Sequence, residues 1–182
     1  MLYIMRHGKT EWNKIKKLQG QTDIPLNEEG REMAKKAAAE CALVNFDICY
    51  CSPLCRAKET AQILLKNRNI PIIEDERLKE MCFGIYEGLE DYPNKTDCPI
   101  NVFFKEPQNY IKPVEGGESF EELFDRTGSF LKDILPIVNE GKDVLIVGHG
   151  AMNSSIVCQI RNMGLEDFWS AGIENCKLMR LI

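Results

Sequence analysis

Only two histidines occur in these 182 residues, and both stand in the same local setting. His7 follows the apolar run Leu2-Tyr3-Ile4-Met5 and Arg6, and is followed by Gly8. His149 follows Val144-Leu145-Ile146-Val147-Gly148 and is followed by Gly150. Each apolar run has the length of a short buried strand. A strand that stops in a cation, an imidazole and a glycine sets those groups at the sheet edge, where ligands of open α/β folds bind. Glycine after the imidazole lets a ligand or another segment approach the backbone.

The elements that must position these groups read off in order. Thr10 to Thr22 is a polar loop with one helical turn. Asn27-Glu28-Glu29-Gly30 opens a helix, with Asn27 as N-cap. Phe46–Cys51 is a second strand. Ser52-Pro53 is expected to cap and start the next helix, with proline at its first position. Ile70–Ile73 is a third strand. Ser119-Phe120-Glu121-Glu122 is a capping box before a helix whose apolar residues recur three and four apart. Strand Val144–Val147, a helix from about Ala151 to Asn162 and a closing strand Lys177–Ile182 complete the chain. Strands alternating with helices predict an α/β fold: a three-layer α/β/α sandwich on a mostly parallel sheet. One domain over 1–182 is expected, with an irregular excursion at about 78–117, where prolines 93, 99, 107 and 113 forbid long elements.

Composition narrows the function classes. With 44% hydrophobic and 28% charged residues the chain is an ordinary globular one. A net charge of −5 argues against nucleic-acid or anionic-membrane binding, which needs basic patches, but leaves room for a locally positive pocket. No apolar run has the roughly 18 residues of a membrane span, and no signal peptide is apparent, so a cytoplasmic location is expected. Cys49, Cys51 and Cys55 lie close together, but their spacing is not that of paired zinc ligands and no histidine is near. They read as buried, reduced thiols.

Further motifs join Arg6-His7-Gly8. Thr10 and Asn13 follow it, then Gln19-Gly20, Asp23, Pro25-Leu26 and Gly30. Next come Ser52-Pro53-Leu54-x-Arg56-Ala57-x-x-Thr60-Ala61 and Leu78-x-Glu80-x-x-Phe83-Gly84-x-x-Glu87-Gly88. Gly116-Gly117-Glu118-Ser119 and Val147-Gly148-His149-Gly150 complete the set. Together these resemble the histidine phosphatase superfamily, the phosphoglycerate mutase-like proteins, over nearly the whole chain.

The resemblance implies a metal-independent phosphatase acting on a small phosphomonoester. His7 is the expected nucleophile, forming a phosphohistidine that water hydrolyses; neutral imidazole suits that task near pH 7. Arg6 and Arg56 are expected to bracket the phosphoryl oxygens. His149, as imidazolium, would stabilise the developing charge. Asn13, Thr10, Gln19 and Gly20 would line the substrate site, and Glu80 is the candidate general acid and later base. No metal or cofactor is implied. Trp12, Phe83, Tyr86 and Trp169 read as packing residues, although Phe83 and Tyr86 flank the acid and could wall the pocket.

Family mutases are longer and carry Arg-His-Tyr-Gly after the acid. This chain reads Met81-Cys82-Phe83-Gly84 there and ends in its closing strand, which favours phosphatase over mutase. A non-catalytic phosphate-ester binding module is the further alternative, opposed by a fully occupied catalytic set. The expected partner is a small phosphorylated metabolite, with no nucleic acid and no membrane, and the protein a monomer or homodimer.

Overall fold

The computed structural model describes residues 1–95, 98–111 and 113–182. Strands β1 (Leu2–Arg6), β2 (Ile48–Cys51), β3 (Ile72–Glu74), β4 (Val144–Gly148) and β5 (Met179–Arg180) form one sheet in the order β3-β2-β4-β1-β5. All pairings are parallel except β1 with β5. β1 and β4 are central neighbours, so both of their faces are covered, which is why their sequences are apolar runs without alternation.

Helices α2 (Glu28–Glu40) and α3 (Cys55–Leu65) share a core with one face of the sheet, through Ala34, Ala37, Ala57 and Ala61 against Met5, Cys49 and Val147. On the other face α5 (Phe120–Asn139) and α6 (Gly150–Arg161) pack Phe130, Ile134, Met152 and Ile156 against Leu2, Ile4, Val144 and Ile146. The expected three layers are therefore present. Ser119 caps α5 as a capping box: its hydroxyl accepts the Glu122 N–H at 3.1 Å, and Glu122 accepts the Ser119 N–H at 2.8 Å.

Several boundaries differ; the second strand, for one, starts at Ile48 rather than Phe46. α3 begins at Cys55, not at Pro53, because its cap is supplied from elsewhere in the chain. The Asp23 carboxylate accepts the Cys55 N–H at 2.8 Å, while the Ser52 hydroxyl accepts only a turn contact from Leu54. The third strand lies slightly later than expected, at Ile72–Glu74. The closing strand shrinks to Met179–Arg180, an antiparallel edge beside β1.

The excursion contains α4 (Asn101–Lys105), and α1 (Glu11–Lys14) lies in the first loop. Positions 96, 97 and 112 of the excursion lie outside the described residues. Phe83, Phe103 and Tyr110 of the excursion share an aromatic core with Phe120 of α5 and with Phe168.

Candidate active site

The register of the two central strands brings the histidines together. Arg6 of β1 pairs with Gly148 of β4, and the His7 N–H donates to the Gly148 carbonyl at 2.9 Å. The next residue of each strand is a histidine, and the imidazole centroids lie 5.1 Å apart. This is the carboxyl edge of a parallel sheet, where such folds open a crevice. A pocket of about 250 Å³ lies there. Arg6, His7, Asn13, Gln19, Gly20, Arg56 and Glu80 line it, as expected from the sequence.

His7 is 2% exposed. Its Nδ1 lies 2.6 Å from the carbonyl oxygen of Gly8. A carbonyl only accepts, so the proton sits on Nδ1 and Nε2 keeps its lone pair. Burial, with the Arg56 and Arg6 guanidiniums nearby, holds the His7 pKa well below 6.5 and the ring neutral. Gly8 cannot be larger: a Cβ there would stand 2.5 Å from the carbonyl oxygen of Gly30, where α2 presses on the loop.

Arg56 is fully buried on α3 and donates to the carbonyls of Gly20 at 2.7 Å and Thr22 at 2.9 Å. Arg6 donates from Nη1 to the Ile173 carbonyl at 3.2 Å. The Nε atoms of both arginines are buried without a partner among the described residues. Burial lowers the pKa of each guanidinium, yet guanidinium stays charged, so the pocket holds two cations with donors in reserve. An oxyanion answers that need.

Glu80 is held at the N-terminus of α6. Its carboxylate accepts the N–H groups of Met81 at 2.9 Å, Met152 at 3.0 Å and Ala151 at 3.2 Å. Such backbone donors orient a carboxylate at a helix start. The Gln19–Thr22 loop is gathered by another carboxylate. Glu87 accepts the N–H of Gln21 at 2.9 Å and of Thr22 at 2.8 Å, the Thr22 hydroxyl at 2.5 Å and the Phe83 N–H at 3.1 Å.

Two expectations need correction. Thr10 does not line the pocket. It is fully buried as the N-cap of α1, and its hydroxyl contacts the side-chain oxygens of Gln19 at 2.9 Å and Asn13 at 3.1 Å, so it braces two lining residues. His149, expected among the substrate-binding residues, is likewise absent from the lining, and it is not poised as an imidazolium by the protein's own groups. It is fully buried, both ring nitrogens lack partners among the described residues, and burial with Arg56, His7 and Arg6 nearby keeps its pKa well below 6.5. A phosphate dianion beside it would act in the opposite direction.

Sequence reasoning missed Lys17, Tyr92 and Phe104, which also line the pocket, and took Trp169 for packing; Phe83 lines it as one of the two walls the sequence allowed. Phe83 and Trp169 do both: Trp169 stacks on Phe104 with centroids 5.7 Å apart and donates to the Phe103 carbonyl at 3.1 Å. Nothing local in the sequence marks Tyr92 or Phe104, since the excursion brings them there by its fold. Tyr86, flanking the acid in sequence, is not in the lining. Among the described residues no group of three His, Cys, Asp or Glu gathers as metal ligands would. Burial pushes the thiols of Cys49 and Cys51 up, Cys51 to about 11.

Fold and site together define an enzyme of phosphomonoesters. The chain belongs to the histidine phosphatase superfamily (branch 1), whose pattern matches residues 2–182. It is 29% identical to phosphoserine phosphatase 1 of Hydrogenobacter thermophilus over 96% of this chain and 82% of the relative. It is 35% identical to a 2,3-bisphosphoglycerate-dependent phosphoglycerate mutase of Parvibaculum lavamentivorans, over 95% of this chain and 85% of that one. A crystal structure of phosphoserine phosphatase from Entamoeba histolytica, in complex with 3-phosphoglyceric acid, superposes with a TM-score of 0.80. It shares 31% identity, over 97% of this chain and 87% of that one.

Proposed function

We propose that this protein hydrolyses a small phosphomonoester through a phosphohistidine on His7, without a metal ion. The observation that carries the reading is the His7 imidazole, neutral and with Nδ1 committed to Gly8, so that Nε2 offers its lone pair beside two buried arginines. Nε2 attacks phosphorus while the bond to the ester oxygen breaks. Arg6 and Arg56 carry the charge spread over the equatorial oxygens, which is the main demand of phosphoryl transfer. The Glu80 carboxyl gives its proton to the leaving oxygen. Water then attacks phosphorus, Glu80 takes a proton from it, and the electron pair of the N–P bond returns to Nε2. Nδ1 keeps its proton on Gly8 throughout.

The substrate we infer is a small phosphorylated acid, such as the phosphoserine and phosphoglycerate named for its relatives. Lys17 supports this. It lines the pocket; among the described residues its ion pair is with Glu90, which is 67% exposed, at 3.2 Å, and its ammonium lies 4.7 Å from the Trp12 ring centroid. With its carboxylate so exposed this pair is weak, so the ammonium can be drawn to a substrate carboxylate. The free thiols of all eight cysteines suit the reducing cytoplasm. No helix among the described residues is long and apolar enough to cross a membrane.

Mutase activity is the second reading, favoured by the 35% identity to a mutase. It requires a phosphohistidine sheltered from water while the substrate turns over. The test is phosphate release with EDTA present, from phosphoserine, 3-phosphoglycerate and glycerol phosphate, with interconversion of 2- and 3-phosphoglycerate measured alongside. Metal-independent release, faster for the two carboxylates than for glycerol phosphate, supports the reading. Interconversion without release favours the mutase.

A further inference from the structure

Glu80 sits in a stretch with little secondary structure of its own. One 3-10 turn, Glu76–Leu78, ends two residues before it, and irregular chain follows. A general acid must nevertheless be held within hydrogen-bond reach of the leaving oxygen. Helix α6 orients its carboxylate, but something else must fix the backbone that carries it.

Arg126, on α5, does so. Its Nε donates to Glu118 Oε1 at 2.5 Å and one Nη2 hydrogen to Glu118 Oε2 at 3.0 Å. Nη1 donates to the carbonyls of Arg77 at 2.6 Å and Lys79 at 2.7 Å, and Nη2 also reaches the carbonyl of Glu80 at 3.2 Å. A guanidinium has five N–H donors in a fixed plane, and these contacts use all of them. Both partners of the ion pair are largely buried, at 18% and 11% side-chain exposure. Glu118 in turn accepts the Cys82 N–H at 3.2 Å, so the pair holds the chain on both sides of Glu80. Gln21, from the loop that Arg56 grips, donates to the same Glu80 carbonyl at 3.0 Å. Arg126 does not line the pocket.

We propose that Arg126, braced by Glu118, is the positioning residue for Glu80, coupling α5 to the proton transfer without touching substrate. The inference rests on the role given to Glu80 above. Its loss should impair delivery of the proton to the leaving oxygen while leaving the attack by His7 intact. The two can be separated, because p-nitrophenolate departs without a proton and an alkoxide does not.

The experiment measures kcat/KM, which reports the steps through phosphorylation of His7, for p-nitrophenyl phosphate and phosphoserine. The proteins are wild type, Glu80→Gln, Arg126→Met, Arg126→Lys and Glu118→Gln. Arg126→Met should lose about a hundredfold on phosphoserine and less than about threefold on p-nitrophenyl phosphate, the same pattern as Glu80→Gln. Arg126→Lys should recover only part, since one ammonium cannot span Glu118 and three carbonyls. Glu118→Gln should fall between. A variant that merely loses folded protein lowers both substrates by one factor. Equal losses, or an unchanged rate on phosphoserine, overturn the proposal. If Arg126→Met does not fold, Arg126→Lys and Glu118→Gln carry the same comparison. A split in Glu80→Gln but in none of the Arg126 and Glu118 variants overturns this proposal alone; no split in Glu80→Gln removes the role of Glu80 and the proposal with it.

Discussion

The imidazoles of His7 and His149 face each other at 5.1 Å, tilted by 59°, and both are buried with the Arg6 and Arg56 cations nearby. Their pKa values are held well below 6.5, first by burial and then by those cations. In the unfolded chain both rings regain an ordinary pKa, so below about pH 6.5 the unfolded state binds protons that the native state refuses. The sign follows: stability falls as pH falls through this window. Two such groups cost on the order of 2 kcal/mol between pH 6.5 and 5.5. Urea unfolding at the two pH values should show that loss, and His149→Gln should remove roughly half of it. A midpoint unchanged across the window would contradict the neutral pair.

Glu87 is expected to matter as much as a pocket residue. Its carboxylate ties Gln21, Thr22 and Phe83, and the loop so formed presents the carbonyls that Arg56 grips. Glu87→Ala leaves buried or half-buried N–H groups unpaired, costing about 2–3 kcal/mol. Gly20 has φ +56°, and a Cβ on it would lie 2.2 Å from Glu87 Oε1. Gly20→Ala should therefore lower kcat/KM about tenfold or more by displacing this carboxylate, on top of about 1–2 kcal/mol of left-handed backbone strain. Steady-state kinetics and urea melts check both. Full activity in Gly20→Ala would show that the loop is not rigid.

Thr10 makes a sharper case, because sequence and structure assign it different work. A residue that bonds phosphate would lose affinity for inorganic phosphate as a competitive inhibitor when its hydroxyl is removed. A capping residue loses stability. Thr10→Val should cost about 1 kcal/mol through the α1 cap, with inhibition by phosphate shifted only through Asn13 and Gln19. Thr10→Ser should restore both. A tenfold loss of phosphate binding with unchanged stability would return Thr10 to the pocket wall.

What could be read from the sequence follows from how local each signal is. The apolar runs before His7 and His149 and the capping box at Ser119 are short-range patterns, and strands and helix appear where they predict. That the two histidines meet also follows, once the strands are parallel neighbours. The start of α3 did not, because its cap is Asp23, 32 positions before Cys55. Thr10 departs from expectation for a similar reason: its partners are side chains of its own loop, and motif spacing does not tell which way a hydroxyl turns. Tyr92 and Phe104 reach the pocket only through the packing of an excursion without periodicity. Arg126 lies in the middle of a regular amphipathic helix, where an arginine ordinarily faces solvent. Only its five contacts reveal its place.

On the proposed route, phosphate passes through Nε2 of His7. The direct measurement is a rapid acid-free quench of the enzyme with 32P-labelled substrate, followed by mass mapping of the labelled peptide at alkaline pH. A phosphoimidazole is stable to base and labile to acid, unlike a phosphoserine. The expected result is a base-stable label on His7 that forms within one turnover, decays with product release and is absent from His7→Ala, which should also lose at least about a thousandfold in turnover. A fully active wild type with no such label, or a His7→Ala variant that keeps hydrolysing phosphoserine, would contradict it.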